Sequence, residues 1–223
     1  MANIHLIGTS HISKESYKSV RDSILKRKPD IVAVELDPKR LYALLSKNQK
    51  PELGDIKKYG VTTYIFARIG SWIQRRLGEK VGLAPGSEIK VAITTAKKVG
   101  AKVYLIDQDI EITLRNISKE LTLKEKIKLI LTLLFGFFIP VSNKNFKKID
   151  LSKVPEQDLV KELTGEFKKK FPKLHKILVK DRDRYMGEQL ITISKQNPDY
   201  KIVAVVGAGH IEGLTKILKQ NPF

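Results

Sequence analysis

The chain has 223 residues, of which 42% are hydrophobic and 30% charged, and this composition indicates a globular protein with one sizeable core rather than a disordered chain. It contains no cysteine, which excludes disulfides, thiolate nucleophiles and cysteine-ligated zinc and is compatible with a reducing cytoplasm. The formal net charge of +18 is open to three interpretations: a nucleic acid partner, an anionic membrane surface, or a lysine-rich background of the kind found in thermophiles.

Lysines are scattered along the whole chain, with local runs such as those at residues 147–148 and 168–170. Aromatic residues do not interleave with these runs, and no helix-turn-helix, zinc-finger or RNP pattern accompanies them. We therefore expect no nucleic acid partner. The first residues lack the features of a signal peptide, so the expected localisation is cytoplasmic, with association to a membrane surface as an open alternative.

Strands and helices alternate in the first part of the sequence. Residues 4–7 are predicted to form a strand, residues 16–28 a helix, and residues 31–36 a second strand. The second strand is a continuous apolar run, which is typical of a strand buried on both faces of a parallel sheet. Pro38 stands where the next helix begins, because proline is favoured in the first turn of a helix.

Glycines punctuate residues 46–87, where short helical pieces are predicted, among them residues 64–77 with Trp72 on the apolar side. Residues 85–88 indicate a turn and a helix start, and a helix over residues 89–99 ends at Gly100. Residues 103–106 form a third buried strand that ends in Asp107. Residues 109–197 are predicted to be helical, with breaks at prolines, before a fourth strand at residues 201–206 and a last helix from Ile211.

Strands separated by helices predict an α/β fold with a mostly parallel sheet of at least four strands flanked by helices. The chain is expected to be a single domain, residues 1–223, with a helix-rich insertion at about residues 109–197. Within it, residues 127–141 are strongly apolar but fall short of the roughly 20 residues that a membrane-spanning helix needs. A buried helix or an interfacial segment flanked by lysines are the two alternatives for this tract.

Polar residues follow each predicted strand at the edge where parallel sheets bind ligands. Residues 8–11 and 207–210 are both Gly-x-x-His turns that follow strands, and they end in His11 and His210. The second strand ends at Glu35. Two imidazoles and a carboxylate form the usual ligand set of a catalytic zinc and of other divalent first-row metals, so His11, Glu35 and His210 are the candidate metal ligands.

Further residues are candidates for catalysis at the same edge. Glu88, at a helix start, is a candidate further ligand or general base, and Arg40, about one turn past Glu35, is a candidate to hold a carboxylate or an oxyanion. Arg182 and Arg184 are candidates to bind an anionic group of a substrate, whereas Arg184 is also spaced for an i,i+4 pair with Glu188.

Each of these residues also has a structural interpretation. A histidine after a strand is often only a hydrogen-bonded or capping residue, and Asp107 and Asp109 are expected to be helix N-caps rather than ligands. Glu35 ends an apolar strand, where an unpaired carboxylate would be costly, so it needs a metal, an arginine or backbone amides as partner. His5 and His175 are expected to be structural.

Several blocks resemble the TraB/PrgY family, in the family's order and over nearly the whole chain. They are residues 5–16 (HLIGTSHISKES), 29–37 (PDIVAVELD) with Arg40, 85–89 (PGSEI), 100–107 (GAKVYLID), 181–186 (DRDRYM) and 205–210 (VVGAGH). This family is similar to Tiki proteases and to the erythromycin esterase and ChaN-like α/β fold. The resemblance implies active-site roles for both Gly-x-x-His motifs, Glu35, Arg40, Glu88, Arg182 and Arg184, with metal-dependent peptide hydrolysis as the precedent.

The first hypothesis is therefore a hydrolase that acts on peptides with a divalent metal of the zinc, manganese or cobalt class. The alternative, which the link of PrgY-like members to peptide pheromones suggests, is a peptide-binding or regulatory domain without turnover. An anionic membrane surface as a further partner and a homo-oligomeric state are compatible with either hypothesis.

Overall fold

The computed structural model describes residues 3–9, 14–45, 86–135 and 157–221. In this part of the chain a four-stranded sheet has the order β1-β4-β2-β3, and all of its neighbouring strands are parallel. The strands are β1 (Asn3–Thr9), β2 (Ile31–Val34), β3 (Lys102–Leu105) and β4 (Lys201–Gly207). The α/β fold with a parallel sheet of at least four strands, predicted from the alternation of strands and helices, is confirmed.

Helices cover the sheet and continue beyond it. They are α1 (Lys14–Arg27), α2 (Pro38–Leu45), α3 (Ser87–Lys98), α4 (Ile110–Glu120), α5 (Leu123–Phe135), α6 (Gln157–Lys170), α7 (Pro172–His175), α8 (Asp181–Gln196) and α9 (Ile211–Gln220). A π-helical turn, Lys176–Lys180, links α7 to α8, and a 3₁₀ turn, Ala208–His210, links β4 to α9. The predicted helix at residues 64–77 lies outside the described residues.

The two faces of the sheet are buried against different helices. Alternate residues of β4 point to opposite faces: Val203 and Val205 belong to a core with α1 and α3, whereas Ile202, Ala204 and Val206 belong to a core with α8 and α9. This double burial explains why the strands are continuously apolar in sequence. The sheet therefore forms the middle layer of an α/β/α sandwich.

A third, smaller core lies among the helices of the second half and contains Ile117, Leu121, Leu129, Leu174 and Ile177. The apolar tract that begins at Ile127 enters this region as α5, where Leu129 is buried but Ile127 and Leu131 are about half exposed. The helix is thus only partly buried, and residues 136–141 of the tract lie outside the described residues. Within the described ranges, no helix combines the length and the apolar character needed to cross a membrane.

Gly100 ends α3, as the sequence predicted, and its backbone conformation explains why. Gly100 has a φ of +78°, a left-handed conformation that glycine adopts without steric cost, and its N–H donates to the carbonyl of Lys97. The turn leads directly into β3, so Asp107 arrives at the carboxyl edge of the sheet. There it meets the residues that follow β2 and β4.

Candidate active site

The carboxyl edge of the sheet gathers charged residues that are almost fully shielded from water. Glu35 follows β2, Asp107 follows β3 by two residues, and His210 lies in the 3₁₀ turn after β4; each is at most 7% exposed. Arg182, in the first turn of α8, reaches into this group from the face of the sheet that α8 covers. Neighbouring strand order β4-β2-β3 brings the three segments together, although they are far apart in the sequence.

Both carboxylate oxygens of Glu35 have partners. The backbone N–H of Gly207 donates to Oε2 at 2.6 Å, and Arg182 contacts Oε1. The Nε2 atom of His210 lies 3.4 Å from the same Oε1. The sequence predicted that Glu35 needs a metal, an arginine or backbone amides, and the structure provides an arginine and a backbone amide.

A carboxylate on α8 orients the His210 ring. Asp183 Oδ1 lies 2.6 Å from His210 Nδ1, so Nε2 is the nitrogen that faces Glu35. Burial disfavours the charged imidazolium, but the hydrogen bonds to Asp183 and Glu35 outweigh that effect and raise the pKa of His210 to about 9. Burial also raises the pKa of Asp183, against the lowering effect of the same hydrogen bond.

From Glu35 to α2, carboxylates and arginines alternate in a series of ion pairs. Arg182 donates from Nε and one terminal nitrogen to the two oxygens of Asp107, at 3.0 and 2.8 Å, and Arg40 contacts Asp107 from the other side. Arg40 also donates through Nε to Asp37 at 2.5 Å. Burial disfavours the Arg182 guanidinium, yet Glu35 and Asp107 raise its pKa, so it stays charged. Planar bidentate pairing of this kind suits arginine better than lysine.

The other candidate residues lie in different places. Glu88 is buried in the first turn of α3, whereas Arg184 has an 81% exposed side chain that pairs with Glu188 at 3.1 Å, the predicted i,i+4 pair. His11 lies outside the described residues, so its role stays a prediction. Of the two arginines in the Asp-Arg-Asp-Arg segment, Arg182 alone joins the buried group among the described contacts.

Asp109 is the N-cap of α4, as predicted, because its Oδ1 accepts a hydrogen bond from the backbone N–H of Glu111. The same prediction for Asp107 is wrong: its carboxylate pairs with Arg182 and Arg40, and α4 begins only at Ile110. The cause is tertiary, since the arginines come from two other helices. A local capping pattern carries no information about such long-range partners.

Sequence reasoning missed two carboxylates of this site, Asp183 and Asp37. Asp183 lies three residues before Met186, which is fully buried, so helical periodicity places it on the core face of α8, where a carboxylate needs a partner. Asp37 directly precedes the proline that starts α2, a common N-cap arrangement, and its Oδ1 accepts from the backbone N–H groups of Lys39 and Arg40. Both signals were present in the sequence.

The distance between Glu35 and His210 can be compared with the spacing of two ligands on one metal ion. Two ligands that are each about 2.1 Å from a tetrahedral metal ion lie about 3.4 Å apart, which is the separation of Oε1 and Nε2 here. A carboxylate on the other ring nitrogen, such as Asp183, is the usual second partner of a ligating histidine. Among the described residues no three histidine, aspartate or glutamate side chains converge in this way, so a complete ligand set would need a further residue.

Comparison with known proteins gives consistent matches over the whole chain. The model of the TraB/PrgY/gumN family matches residues 2–222. An uncharacterized protein of Methanocaldococcus jannaschii is 37% identical over 223 residues, which are 98% of this chain and 54% of the relative. TraB domain-containing proteins of Bos taurus and Homo sapiens are each 27% identical, over 96% of this chain and 62% of their own length. The chain thus spans little more than half the length of these relatives.

Proposed function

The chain belongs to the TraB/PrgY/gumN family, and from this membership and the buried cluster at the sheet edge we propose that it is a metal-dependent hydrolase acting on peptides. One observation carries the proposal: Asp183 holds His210 so that Nε2 faces the carboxylate of Glu35 at 3.4 Å. This arrangement of carboxylate, imidazole and a second carboxylate matches the inner and outer partners of catalytic metal sites.

In the proposal, Glu35 and His210 hold a divalent ion together with His11, the histidine of the first Gly-x-x-His motif. Such an ion supplies Lewis acidity toward an amide carbonyl and lowers the pKa of a bound water. Asp183 fixes the tautomer of His210. Glu88, buried at the start of α3, is assigned as general base or additional ligand.

The arginines would supply positive charge to the same place. Arg182 is held rigidly by Asp107, and Arg40, which is about one-third exposed, is held by Asp37 and Asp107. Positive groups that are fixed before the reaction stabilise an oxyanion without reorganisation in the transition state. Arg184, being exposed, is assigned at most to the first encounter with an anionic ligand.

A second candidate function is peptide binding without turnover, and one observation favours the absence of catalysis. Both oxygens of Glu35 already accept hydrogen bonds from protein groups, and Asp107 is paired by two arginines, so the cluster is stable as a purely ionic network. Buried ion pairs of this kind can specify a fold without taking part in chemistry.

Metal titration and peptide hydrolysis by the purified chain separate the two functions. Zinc, manganese and cobalt ions would be titrated into the wild type, His11→Ala, His210→Ala and Asp183→Asn, with His5→Gln, in β1, as the control. The hydrolase proposal expects about one ion per chain, loss of that binding in the two alanine variants, and roughly 10–100-fold weaker binding in Asp183→Asn. Cleavage of a peptide mixture, followed by mass spectrometry, should fall in parallel.

Equal and weak metal binding in all five proteins, with no cleavage by any of them, would contradict the hydrolase proposal. Retention of peptide affinity under those conditions would favour the binding domain. Folding of each variant would be checked by circular dichroism, because His210 and Asp183 are buried.

A further inference from the structure

A cavity of about 570 Å³ lies beside the edge strand β1, between helices α6 and α9. Leu6 and Gly8 of β1 line it, together with Ala208 and Gly209 of the turn that follows β4. This volume is within the roughly 300–1,000 Å³ range of sites that bind small ligands. The cavity is separate from the buried cluster of Glu35 and Arg182, neither of which lines it.

The inner wall of the cavity is apolar and has room for additional side chains. Leu6, Val160 and Ile211 contribute the apolar surface, one from each of the three elements that surround the space. A side chain added at Gly209 would meet no atom within 4 Å. An apolar group bound here would gain burial without displacing protein atoms.

The outer rim is positively charged. Among the described residues that line the cavity are three lysines, Lys161 on α6 and Lys216 and Lys219 on α9, and one acidic residue, Glu212. Glu212 is neutralised by Lys216, whose Nζ lies 2.5 Å from its Oε1. The hydrogen bond with Lys216 lowers the pKa of Glu212, and the positive charges of Lys161 and Lys168 lower it further. The rim therefore has an excess of positive charge and favours an anionic ligand.

The cavity and the candidate active site share one turn of the backbone. Ala208 and Gly209 form the wall of the cavity, and His210, the next residue, faces Glu35. Gly8 pairs in register with Val206, so β1 and β4 end together at this point. The cavity wall and the His210 ring thus belong to one continuous turn of the backbone.

We propose that this cavity binds the carboxyl-terminal end of an apolar peptide, with the side chains against Leu6, Val160 and Ile211 and the free carboxylate at Lys161 and Lys219. The proposal rests on the peptide substrate of the proposed function and specifies which end of the peptide is recognised. Apolar contacts supply affinity, and the lysines select a free carboxylate over an amide because only the carboxylate carries a charge.

The first test compares two forms of one peptide. An N-acetylated alanine–leucine pentapeptide ending in leucine would be titrated calorimetrically into the wild-type chain, once as the free acid and once as the carboxyl-terminal amide. We expect the free acid to bind at least about fivefold more tightly at low salt, with the difference shrinking as salt screens the lysines. Equal affinities of acid and amide would overturn the proposal.

Two variants and a matched control locate the binding. Lys161→Gln with Lys219→Gln should remove the preference for the acid, whereas Lys97→Gln with Lys98→Gln changes the net charge equally on α3, across the sheet, and should preserve it. Thr164→Trp, which fills the cavity from α6, should weaken acid and amide alike by at least about tenfold. All of these positions are at the surface or partly exposed, so the fold should persist.

Other outcomes remain informative. If the rim variant and the α3 control behave alike, or if Thr164→Trp binds normally, the cavity is not the site. Decanoate binding as tightly as the peptide acid would overturn the assignment to a peptide. Because affinity is measured without cleavage, acid selectivity with no turnover would leave this inference standing while the hydrolase proposal fails, and cleavage without acid selectivity would do the reverse.

Discussion

Gly213 and Asp183 lie so close together that a methyl group on the glycine would be 2.6 Å from the Cγ atom of Asp183 and closer still to its Oδ2 atom. The missing side chain on α9 therefore leaves the space in which the Asp183 carboxylate reaches His210. A glycine that follows His210 by three residues in the sequence thus determines whether the ring can be oriented. The constraint is steric, since Gly213 is not among the residues with positive φ.

Gly213→Ala should push the Asp183 carboxylate away from His210 and destabilise the protein. Overpacking a close-packed site costs about 1–3 kcal/mol of the free energy of unfolding, which chemical denaturation would measure. Gly165→Ala on α6 is the matched control, because a Cβ there meets nothing within 4 Å and alanine is the better helix former. If both variants were as stable as the wild type, the close approach of Gly213 and Asp183 would not hold in solution.

His210 should be protonated in the metal-free protein across the neutral range. Its pKa is raised above the ordinary value of 6.5 to about 9, so its stabilising contribution is fully present below about pH 6.5 and is lost as the pH rises through about 9. NMR titration of the ring would measure this directly. Asp183→Asn should lower the pKa of His210 while leaving the titration of His5 unchanged; identical curves for His210 in both proteins would contradict the assigned pairing.

Arg182→Ala should be far more damaging than Arg184→Ala. Arg182 is 14% exposed and pairs with Glu35 and Asp107, so its loss leaves two buried carboxylates short of a partner, at a cost of about 3–5 kcal/mol in unfolding free energy. Arg184 pairs with Glu188 at the surface, where such pairs contribute about 0–1 kcal/mol. Urea denaturation of both variants checks this prediction. A similar loss of unfolding free energy in the two variants would refute it.

Glu125 should contribute to stability against acid. Its pKa is lowered to about 2 by hydrogen bonds from the backbone N–H and the hydroxyl of Thr122 and from Lys173. Since this pKa is below the ordinary value of 4.5 for a glutamate, the contribution is present above about pH 4.5 and is lost as the pH falls toward 2. Glu125→Gln should therefore narrow the difference in melting temperature between pH 6 and pH 3, whereas Glu162→Gln, on the exposed side of α6, should not.

Strands were the features best predicted from the sequence, because burial on both faces makes them continuously apolar. The run at residues 31–36 predicted β2, and the polar residue that interrupts the run, Glu35, begins the site. The four strands and the edge they share follow from the same pattern. The pattern does not predict which helices contribute the charged partners at that edge, because those partners are set by packing between distant segments.

Arg182 and Arg184 illustrate that limit. Two positions apart on a helix, they point about 160° away from each other, so only one of them can face the sheet. The polar sequence around them does not identify that face locally. The buried face becomes identifiable only from the whole of α8, through Met186 and Leu190, which are both fully buried. Helical periodicity then places Arg182 and Asp183 on the inner side.

The position of β4 has a consequence for how the buried cluster around Glu35 forms during synthesis. Within the described residues, the last strand, β4, lies between β1 and β2, so these two strands cannot join one sheet until residues 201–207 have been synthesised. Such long-range closure slows folding and leaves apolar strands exposed in the nascent chain. Because Gly207 and His210 lie at the end of β4 and in the turn after it, the Glu35 carboxylate gains these two partners only after this late segment has been synthesised.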